Sequence, residues 1–309
     1  MDRVTCPQPT QRYEVDGWKH FAIAGDRTFY VGKADGPIAI SSDGGRTWHK
    51  HATHIPNLTS LAGRVWGFEH EVPLHSGTAH GAIYYPIRKE TWKRVDVFAR
   101  DGVLPTGLFE CGEAVCATSR REESLWRVPA DLNAPLERIP IPHGLSPLGE
   151  VYAQSLFRGK TRVHLTERSE NVEPGWFGNV SCDGGRCFAS ALDQYYRIDA
   201  KSMLATPFLT FAALDQALSK CRGTAVHFSH GAELAWNSLL YVPGILTEHE
   251  SQYSVTLRIA PDSVRVLDGG SEPAVLGQGS LWLVGPGLRR VRPNSHTSEL
   301  LLDPATADF

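Results

Sequence analysis

Short runs of alternating apolar and polar residues, separated by glycine, proline, aspartate and serine, extend along this chain from end to end. Alternation with period two is typical of half-buried strands, and the separating residues are those that form turns. The pattern predicts strands at residues 29–32, 37–40, 64–68, 82–86, 124–128, 151–156, 161–165, 239–242, 253–259, 280–284 and 288–291. Residues 207–220 instead carry helix-like apolar spacing, which predicts one short helical insert in a β protein.

Two cysteine hairpins occur in similar surroundings. Cys111 and Cys116 enclose four turn-like residues, as do Cys182 and Cys187, and each hairpin leads through small residues to an aromatic-Arg-aliphatic strand. The hairpins lie 71 residues apart, which accommodates two units of about 35 residues each. Counting such meanders along the chain gives six or seven. A two-layer β-sandwich would fit the strands but not this recurrence.

We therefore predict an all-β fold, a six- or seven-bladed β-propeller of four-stranded antiparallel blades. Radial closure of such blades leaves only short outer edges. The whole of residues 1–309 is predicted to form this single domain, with a short N-terminal segment at 1–16 and the helical insert at 207–220.

The charge balance argues against nucleic acid as a partner. The chain has 31 Lys and Arg against 34 Asp and Glu, a net charge of -3, and therefore no overall basic field. No apolar run reaches the length of a membrane span, and the N-terminus lacks the apolar core of a signal peptide. The protein is then either cytoplasmic or a mature form whose export signal has been removed.

The six cysteines favour export. Cys111 with Cys116 and Cys182 with Cys187 are spaced so that each pair can close a hairpin with a disulfide. Buried free thiols in a cytoplasmic protein are the alternative, and a zinc site fits this spacing poorly. The sequence leaves open whether Cys6 and Cys221 pair. We predict an extracytoplasmic protein, secreted or periplasmic, with the cytoplasm as the alternative.

Residues 41–48, SSDGGRTW, have the composition of a tight polar turn between two strands. Asp43 can accept bonds from nearby amides, Gly45 permits positive φ, and Ser41 and Thr47 can bond the remaining turn groups. Trp48 is placed to anchor the turn on the core. The pattern S-x-D-x-G-x-T-W resembles the Asp box of the sialidase-type (BNR-repeat) β-propellers. That resemblance implies a hairpin cap on the outer rim of a blade.

The same resemblance brings an enzymatic hypothesis. Sialidases of this family use an arginine triad, a tyrosine activated by glutamate and an aspartate acid/base, and their first arginine lies in an N-terminal F/Y-R-I-P motif. Residues 18–26 contain no such motif, and Tyr196-Arg197-Ile198, which is similar, lies mid-chain. The chain therefore resembles the non-catalytic Asp-box propellers, which bind partners, more than the sialidases.

Candidate ligand-binding residues cluster in one polar segment. Side chains able to bind a metal or transfer protons lie within thirteen residues of each other: Glu69, His70, Glu71, His75 and His80. The alternative is an ordinary solvated loop. Trp176 is a further candidate, for stacking on a sugar or a peptide. His227, His230 and Glu233 also permit a metal interpretation, although they match no established ligand motif.

These observations predict a non-catalytic binding or assembly module that presents loops to a protein or carbohydrate ligand. No cofactor is predicted, although the histidine clusters permit a divalent metal. Two alternatives stay open: a sialidase-like glycoside hydrolase or metal-dependent enzyme with its site on the propeller axis, and a lectin-like carbohydrate-binding propeller.

Overall fold

A computed structural model gives the conformation of most of the chain. It describes residues 3–14, 17–25, 27–33, 36–52, 54–61, 63–71, 80–88, 90–103, 105–111, 114–119, 124–140, 164–165, 180–183, 186–191, 193–199, 204–272 and 274–303. The protein is all-β, with six small, mainly antiparallel sheets, and has the fold class of a six-bladed β-propeller. This confirms the predicted fold class and selects six blades over seven. No helix in these residues is long and apolar enough to cross a membrane.

Contacts divide the chain into two compact units, which we call the middle unit (residues 20–160) and the N/C unit (residues 1–19 with 161–309). The middle unit has three sheets of four antiparallel strands each, joined in sequence order, and one short helix. Its elements are β2 (Trp18–Ala24), β3 (Thr28–Lys33), β4 (Ile38–Ser41) and β5 (His49–His51); β6 (Thr59–Leu61), β7 (Arg64–Glu71), β8 (His80–Arg88) and β9 (Thr91–Val95); α1 (Val97–Arg100); and β10 (Pro105–Cys111), β11 (Ala114–Ser119), β12 (Ser124–Val128) and β13 (Glu137–Pro140).

The N/C unit contains the other three sheets. The first runs in the order β14-β18-β17-β16-β15, the second in the order β1-β23-β22-β21-β19 with β20 on β21, and the third from β24 to β27. The strands are β14 (His164–Leu165), β15 (Val180–Asp183), β16 (Arg186–Ala191), β17 (Gln194–Asp199) and β18 (Leu204–Thr210); β1 (Arg3–Thr5), β19 (Val226–His230), β20 (Leu234–Trp236), β21 (Leu239–Glu248), β22 (Ser251–Ala260) and β23 (Ser263–Asp268); and β24 (Val275–Gly277), β25 (Ser280–Leu283), β26 (Leu288–Val291) and β27 (Glu299–Leu302).

Inner strands are apolar on both faces, as expected for sheets covered on both sides. All four residues of β4, Ile-Ala-Ile-Ser, are buried, and so are all four residues of β25, Ser-Leu-Trp-Leu. The outer strands are more exposed: two of the three residues of β5 and two of the four residues of β27 are exposed.

One helix, α2 (Phe211–Arg222), follows β18 directly. It corresponds to the helical insert predicted at 207–220, but residues 207–210 are the end of β18. Thr210 caps its N-terminus by accepting a bond from the Ala213 amide, and Gly223 ends it with φ 73°. Leu214 and Leu218 are buried against the core of the N/C unit.

The two cysteine hairpins hold equivalent places in successive meanders. One is β10–β11 and the other is β15–β16, each the first hairpin of its four-strand meander. Between these meanders the structure describes only β14, which pairs with β18, so the interpretation of the 71-residue offset as two blades stays a prediction.

The structure also answers the question of Cys6 and Cys221, which form a disulfide with their Cα atoms 6.3 Å apart. Cys116 and Cys187 are disulfide-bonded as well. Cys182 lies opposite Cys187 in the β15–β16 register, as a hairpin disulfide requires. The side chains of Cys111 and Cys182 lie outside the described part of the chain, so the two predicted pairings stay predictions.

Candidate functional site

The SSDGGRTW turn joins β4 to β5, and its own side chains hold it. Asp43 Oδ1 accepts bonds from the amides of Arg46 and Thr47, both at 3.0 Å, and Asp43 Oδ2 accepts one from Thr47 Oγ1 at 2.6 Å. Ser41 Oγ donates to Asp43 at 2.8 Å and accepts the Gly45 amide at 2.8 Å. Gly45 has φ 87°, as the predicted turn requires.

This turn is anchored on the sheet and is fully bonded. Trp48 packs its ring 6.5 Å from that of Phe29 and donates its Nε1 proton to the Gly45 carbonyl at 3.2 Å. Bonds from the Thr47 hydroxyl and amide, with those from Ser41 and Arg46, hold the pKa of Asp43 well below its usual range. Because the Asp43 carboxylate is already saturated by the turn, it is a structural group rather than a ligand-binding one.

The similar segment at Ser181–Phe188 has a different position. It belongs to the β15–β16 hairpin, between the first and second strands of its meander, whereas residues 41–48 connect the third and fourth strands of theirs. The two segments are therefore not copies of one structural unit. Tyr196-Arg197-Ile198 likewise lies within β17, a central strand, as its alignment with a structural strand predicted.

Of the five residues proposed between positions 69 and 80, the structure gives the side-chain contacts of Glu69. Its carboxylate accepts bonds from Tyr84 Oη at 2.7 Å and Arg94 Nε at 3.2 Å, so the three side chains link β7, β8 and β9. Burial and the hydrogen bond to Glu69 raise the pKa of Tyr84, which therefore remains a donor. This arrangement links three strands of one sheet through Glu69 Oε2, and the ligand-binding role of Glu69 stays a prediction.

The other predicted ligand-binding residues are only partly described. His70 and Glu71 end β7, His80 begins β8, and Glu71 lies opposite His80 in the register. Their side chains, together with His75 and Trp176 entirely, lie outside the described residues. Within the part of the chain that the structure describes, no three His, Cys, Asp or Glu side chains are close enough together to hold a metal ion.

His227, His230 and Glu233 do not form a metal site either. His227 Nδ1 pairs with Asp215 Oδ2 at 2.8 Å, and His230 stacks on Phe211 with ring centroids 3.9 Å apart. Glu233 is only 3% exposed. Burial raises the pKa of Glu233, and a hydrogen bond from Ser190 opposes that shift.

Tyr195 lies beside this group and is fully buried. Its ring packs 4.9 Å from Phe211 and 6.0 Å from His230, and its hydroxyl has no hydrogen-bond partner in the described part of the chain. Burial raises the pKa of Tyr195, and the charges of Glu233 and Asp215 raise it further. Neither Tyr195 nor Glu233 lines either of the two clefts described below.

A cleft of about 700 Å³ in the N/C unit is a groove beside α2. It runs between β18, one face of α2 and the turn that joins β22 to β23. We call it the α2 groove. It is lined by Gln194, Pro207, Phe208, Leu209, Thr210, Ala213, Gln216, Ala217, Lys220, Ile259, Ala260 and Pro261. Its volume lies within the range of about 300–1,000 Å³ that is usual for ligand sites.

Local sequence explains why the α2 groove stays open. Ala213 and Ala217 lie one turn apart on the helix face that also carries Gln216 and Lys220, while Leu214 and Leu218 face the core. Short side chains on that face leave room above the strand. Phe208 is 37% exposed there, and β18 has no described strand partner on its outer edge beyond Ala205.

Two of the four polar side chains that line the α2 groove are already bonded. Gln194 donates to Tyr196 Oη at 2.5 Å, and Thr210 caps α2. Lys220 has no ion pair or hydrogen bond with described residues, so its ammonium is available to a ligand. This groove was not among the sites predicted from the sequence. The i, i+3 and i+4 spacing of Ala213, Gln216, Ala217 and Lys220 nevertheless indicates that these residues share one helix face.

Comparison with known proteins gives similar solved structures but no family assignment. No family model matches the chain, and no curated protein matches it in sequence. Solved structures similar to it are β-propellers, and they include virginiamycin B lyase from Staphylococcus aureus, at 11% identity and TM-score 0.39 over 95% of this chain and 87% of that one. YCF48 bound to D1 peptide gives 11% identity and TM-score 0.39 over 95% and 84% of the two chains.

A putative oxidoreductase (glucose dehydrogenase) from Thermus thermophilus gives 13% identity and TM-score 0.42 over 95% of this chain and 98% of that one. At such identities and scores the likeness concerns the fold alone. These similar structures are a lyase, a peptide-bound protein and an oxidoreductase, so the comparisons assign this chain no activity.

Proposed function

We propose that this β-propeller is a binding module whose α2 groove holds an extended segment of a partner protein. One observation carries the proposal: an open groove lined by both apolar and polar side chains lies beside β18, whose described edge partner β14 reaches only to Ala205, and the groove contains the ammonium of Lys220. An extended segment beside such an edge can form main-chain hydrogen bonds with it, while apolar side chains fill the groove.

The lining favours a peptide over a carbohydrate. Pro207, Phe208 and Pro261 offer apolar surface, and burying it is favourable at roughly 25 cal/mol per Å². A sugar would need many donors and acceptors, but Gln194 and Thr210 are already engaged. The partner segment we propose carries a large apolar side chain for Phe208 and a carboxylate for Lys220.

Disulfide bonding at Cys6, Cys116, Cys187 and Cys221 supports an extracytoplasmic location for this module, because disulfides persist in oxidising compartments. The binding role we propose uses no metal and no cofactor. Mass spectrometry of the native protein under non-reducing conditions tests the location: six free thiols in protein taken from its host would contradict export.

The binding role is tested by selecting peptides from a random heptapeptide display library on the intact chain. Selected peptides should combine an aromatic or aliphatic residue with Asp or Glu. Phe208→Ala should weaken their binding at least about tenfold in fluorescence anisotropy, as for a central interface residue. Lys220→Met should weaken the binding of peptides that contain Asp or Glu. It should have little effect on the binding of the same peptides once their Glu is replaced by Gln.

Leu276 provides the matched control, because it is an exposed aliphatic residue of the same unit at 41% exposure and does not line the groove. Leu276→Ala should leave peptide affinity unchanged. Peptides that bind the Phe208→Ala and Leu276→Ala variants with equal affinity would overturn the proposal. Binding of neutral oligosaccharides that is lost in Phe208→Ala would favour the lectin alternative.

A further inference from the structure

A second cleft, in the middle unit, is independent of the α2 groove. It measures about 430 Å³, and we call it the turn pocket. It is lined by Ala24 at the end of β2, by Arg64, Val65 and Trp66 at the start of β7, by Tyr85 and Pro86 on β8, and by residues 130–133 between β12 and β13. It is therefore formed from segments of three successive sheets.

The 130–133 segment is held in place before any ligand arrives. Arg100 donates to the carbonyls of Leu132 at 3.3 Å, Asn133 at 2.9 Å and Ala134 at 2.5 Å. Asp131 Oδ1 accepts both the Asn133 amide, at 3.0 Å, and Asn133 Nδ2, at 2.9 Å. A segment fixed in this way loses little conformational entropy when a ligand binds to it.

Two opposite charges on the turn pocket are available to a ligand. The exposed Arg64 guanidinium makes no hydrogen bond or ion pair with described residues, and Asp131 uses only one of its two carboxylate oxygens. The two side chains do not pair with each other, although both line the pocket. A ligand that spans them must present an anionic group to Arg64 and a cationic group to Asp131.

The floor between these charges is apolar. Val65, Trp66 and Leu132 line the pocket and are otherwise buried, with 2%, 5% and 7% of their surface exposed. Trp66 Nε1 already donates to the Leu61 carbonyl at 3.0 Å, so its indole offers only apolar surface. The hydroxyl of Tyr85 has no described partner and adds one polar contact. The pocket therefore combines two charged groups with an apolar floor.

We infer that the turn pocket binds a short peptide of two or three residues in its zwitterionic form. Its α-carboxylate would lie at Arg64, its α-ammonium at Asp131, and its apolar side chains on Val65, Trp66 and Leu132. A neutral sugar fits less well, because it would desolvate both charges without supplying opposite ones. The inference does not depend on the proposed function, since no residue is shared between the two clefts.

The test is isothermal titration of the whole chain with the dipeptide Leu-Ala in three forms: free, N-acetylated and C-amidated. The free form should bind saturably at one site. Acetylation should weaken binding to the wild type by about tenfold, equal to 1.4 kcal/mol, and should have no further effect in Asp131→Asn. C-amidation should weaken binding to the wild type to the same extent as acetylation and should have no further effect in Arg64→Met.

Arg88→Met is the control, because Arg88 is an exposed arginine on β8 that does not line the pocket. It should leave all three affinities unchanged. Absence of saturable heat at millimolar peptide, equal affinity of the acetylated and free forms, or equal losses in Arg88→Met and Arg64→Met would each overturn the inference. Circular dichroism of each variant shows whether the variant is folded, so that loss of a contact can be distinguished from loss of the fold. The modified peptides test the role of the ligand charges on the unaltered protein.

Discussion

Cys6 is bonded to Cys221, the penultimate residue of α2, although 215 positions separate them in the sequence. The bond ties the N-terminal segment to the end of a helix that lines the α2 groove. Nearby contacts reinforce it: Arg222 joins Gln8 at 2.5 Å and Glu248 at 2.6 Å, and β1 pairs in parallel with β23. The N-terminal segment is therefore an integral part of the N/C unit.

Removing this disulfide should destabilise the protein. In Cys6→Ser/Cys221→Ser the unfolded chain loses a constraint on a very long loop, which corresponds to about 2–4 kcal/mol of unfolding free energy. Urea denaturation followed by tryptophan fluorescence measures the change. Single Cys6→Ser should behave like the double variant, since either change breaks the same bond. An unchanged urea midpoint in the double variant would show that the other N-terminal contacts suffice.

The bonds to Asp43 predict a pH-dependent effect on stability. Because the folded protein lowers the pKa of this carboxyl, its contribution is present above the unfolded pKa of about 3.9 and is lost as pH falls toward the folded value. Asp43→Asn should therefore have a lower Tm than the wild type at pH 6, and this difference in Tm should decrease toward pH 2.5.

Differential scanning calorimetry across that pH range measures the Asp43 effect. Asp262→Asn is the control, since Asp262 is exposed and no described residue binds its carboxylate. A Tm difference between Asp43→Asn and the wild type that stays constant with pH would show that geometry, and not ionisation, holds the turn.

Glu233 predicts the opposite dependence. Burial raises its pKa in the folded state, so its contribution to stability is greatest below the unfolded pKa of about 4.3 and is lost as pH rises through the folded value. Glu233→Gln keeps the shape of the side chain and removes its negative charge. It should be more stable than the wild type at pH 8 and should lose that advantage by pH 4.

Urea midpoints at one-unit pH intervals measure the Glu233 effect, with the exposed Glu250→Gln as the control. If Glu233→Gln is less stable than the wild type at every pH, the ionised carboxylate has stabilising partners that outweigh its burial.

Local features of this fold were predictable from sequence to the extent that their contacts are local. The turn at residues 41–48 formed as expected because all of its side-chain bonds, from Ser41 to Trp48, join residues no more than four positions apart. Helix α2 was predicted from its apolar spacing, yet its start was misplaced. Pro207–Thr210 pairs with β17, and that pairing overrides a helical interpretation of the same residues.

Functional residues were harder to predict, because they depend on elements that are distant in sequence. Glu69 was grouped with its histidine neighbours along the chain, but cross-strand pairing placed it against Tyr84 and Arg94. The turn pocket likewise joins Arg64 to Asp131, which have no shared motif. Spacing along a strand indicates which face a residue occupies, but not which strand will lie opposite.

The sequence by itself determined the β class, the meander of short strands, the closed polar turn at Asp43 and a helix after β18, because hydrophobic periodicity and turn chemistry act over a few residues. Tertiary structure decided the number of sheets, the partner of Cys6, the burial of Glu233 and the two clefts. These depend on which distant surfaces pack together, since the free energy of burial depends on total area and shape and not on order along the chain.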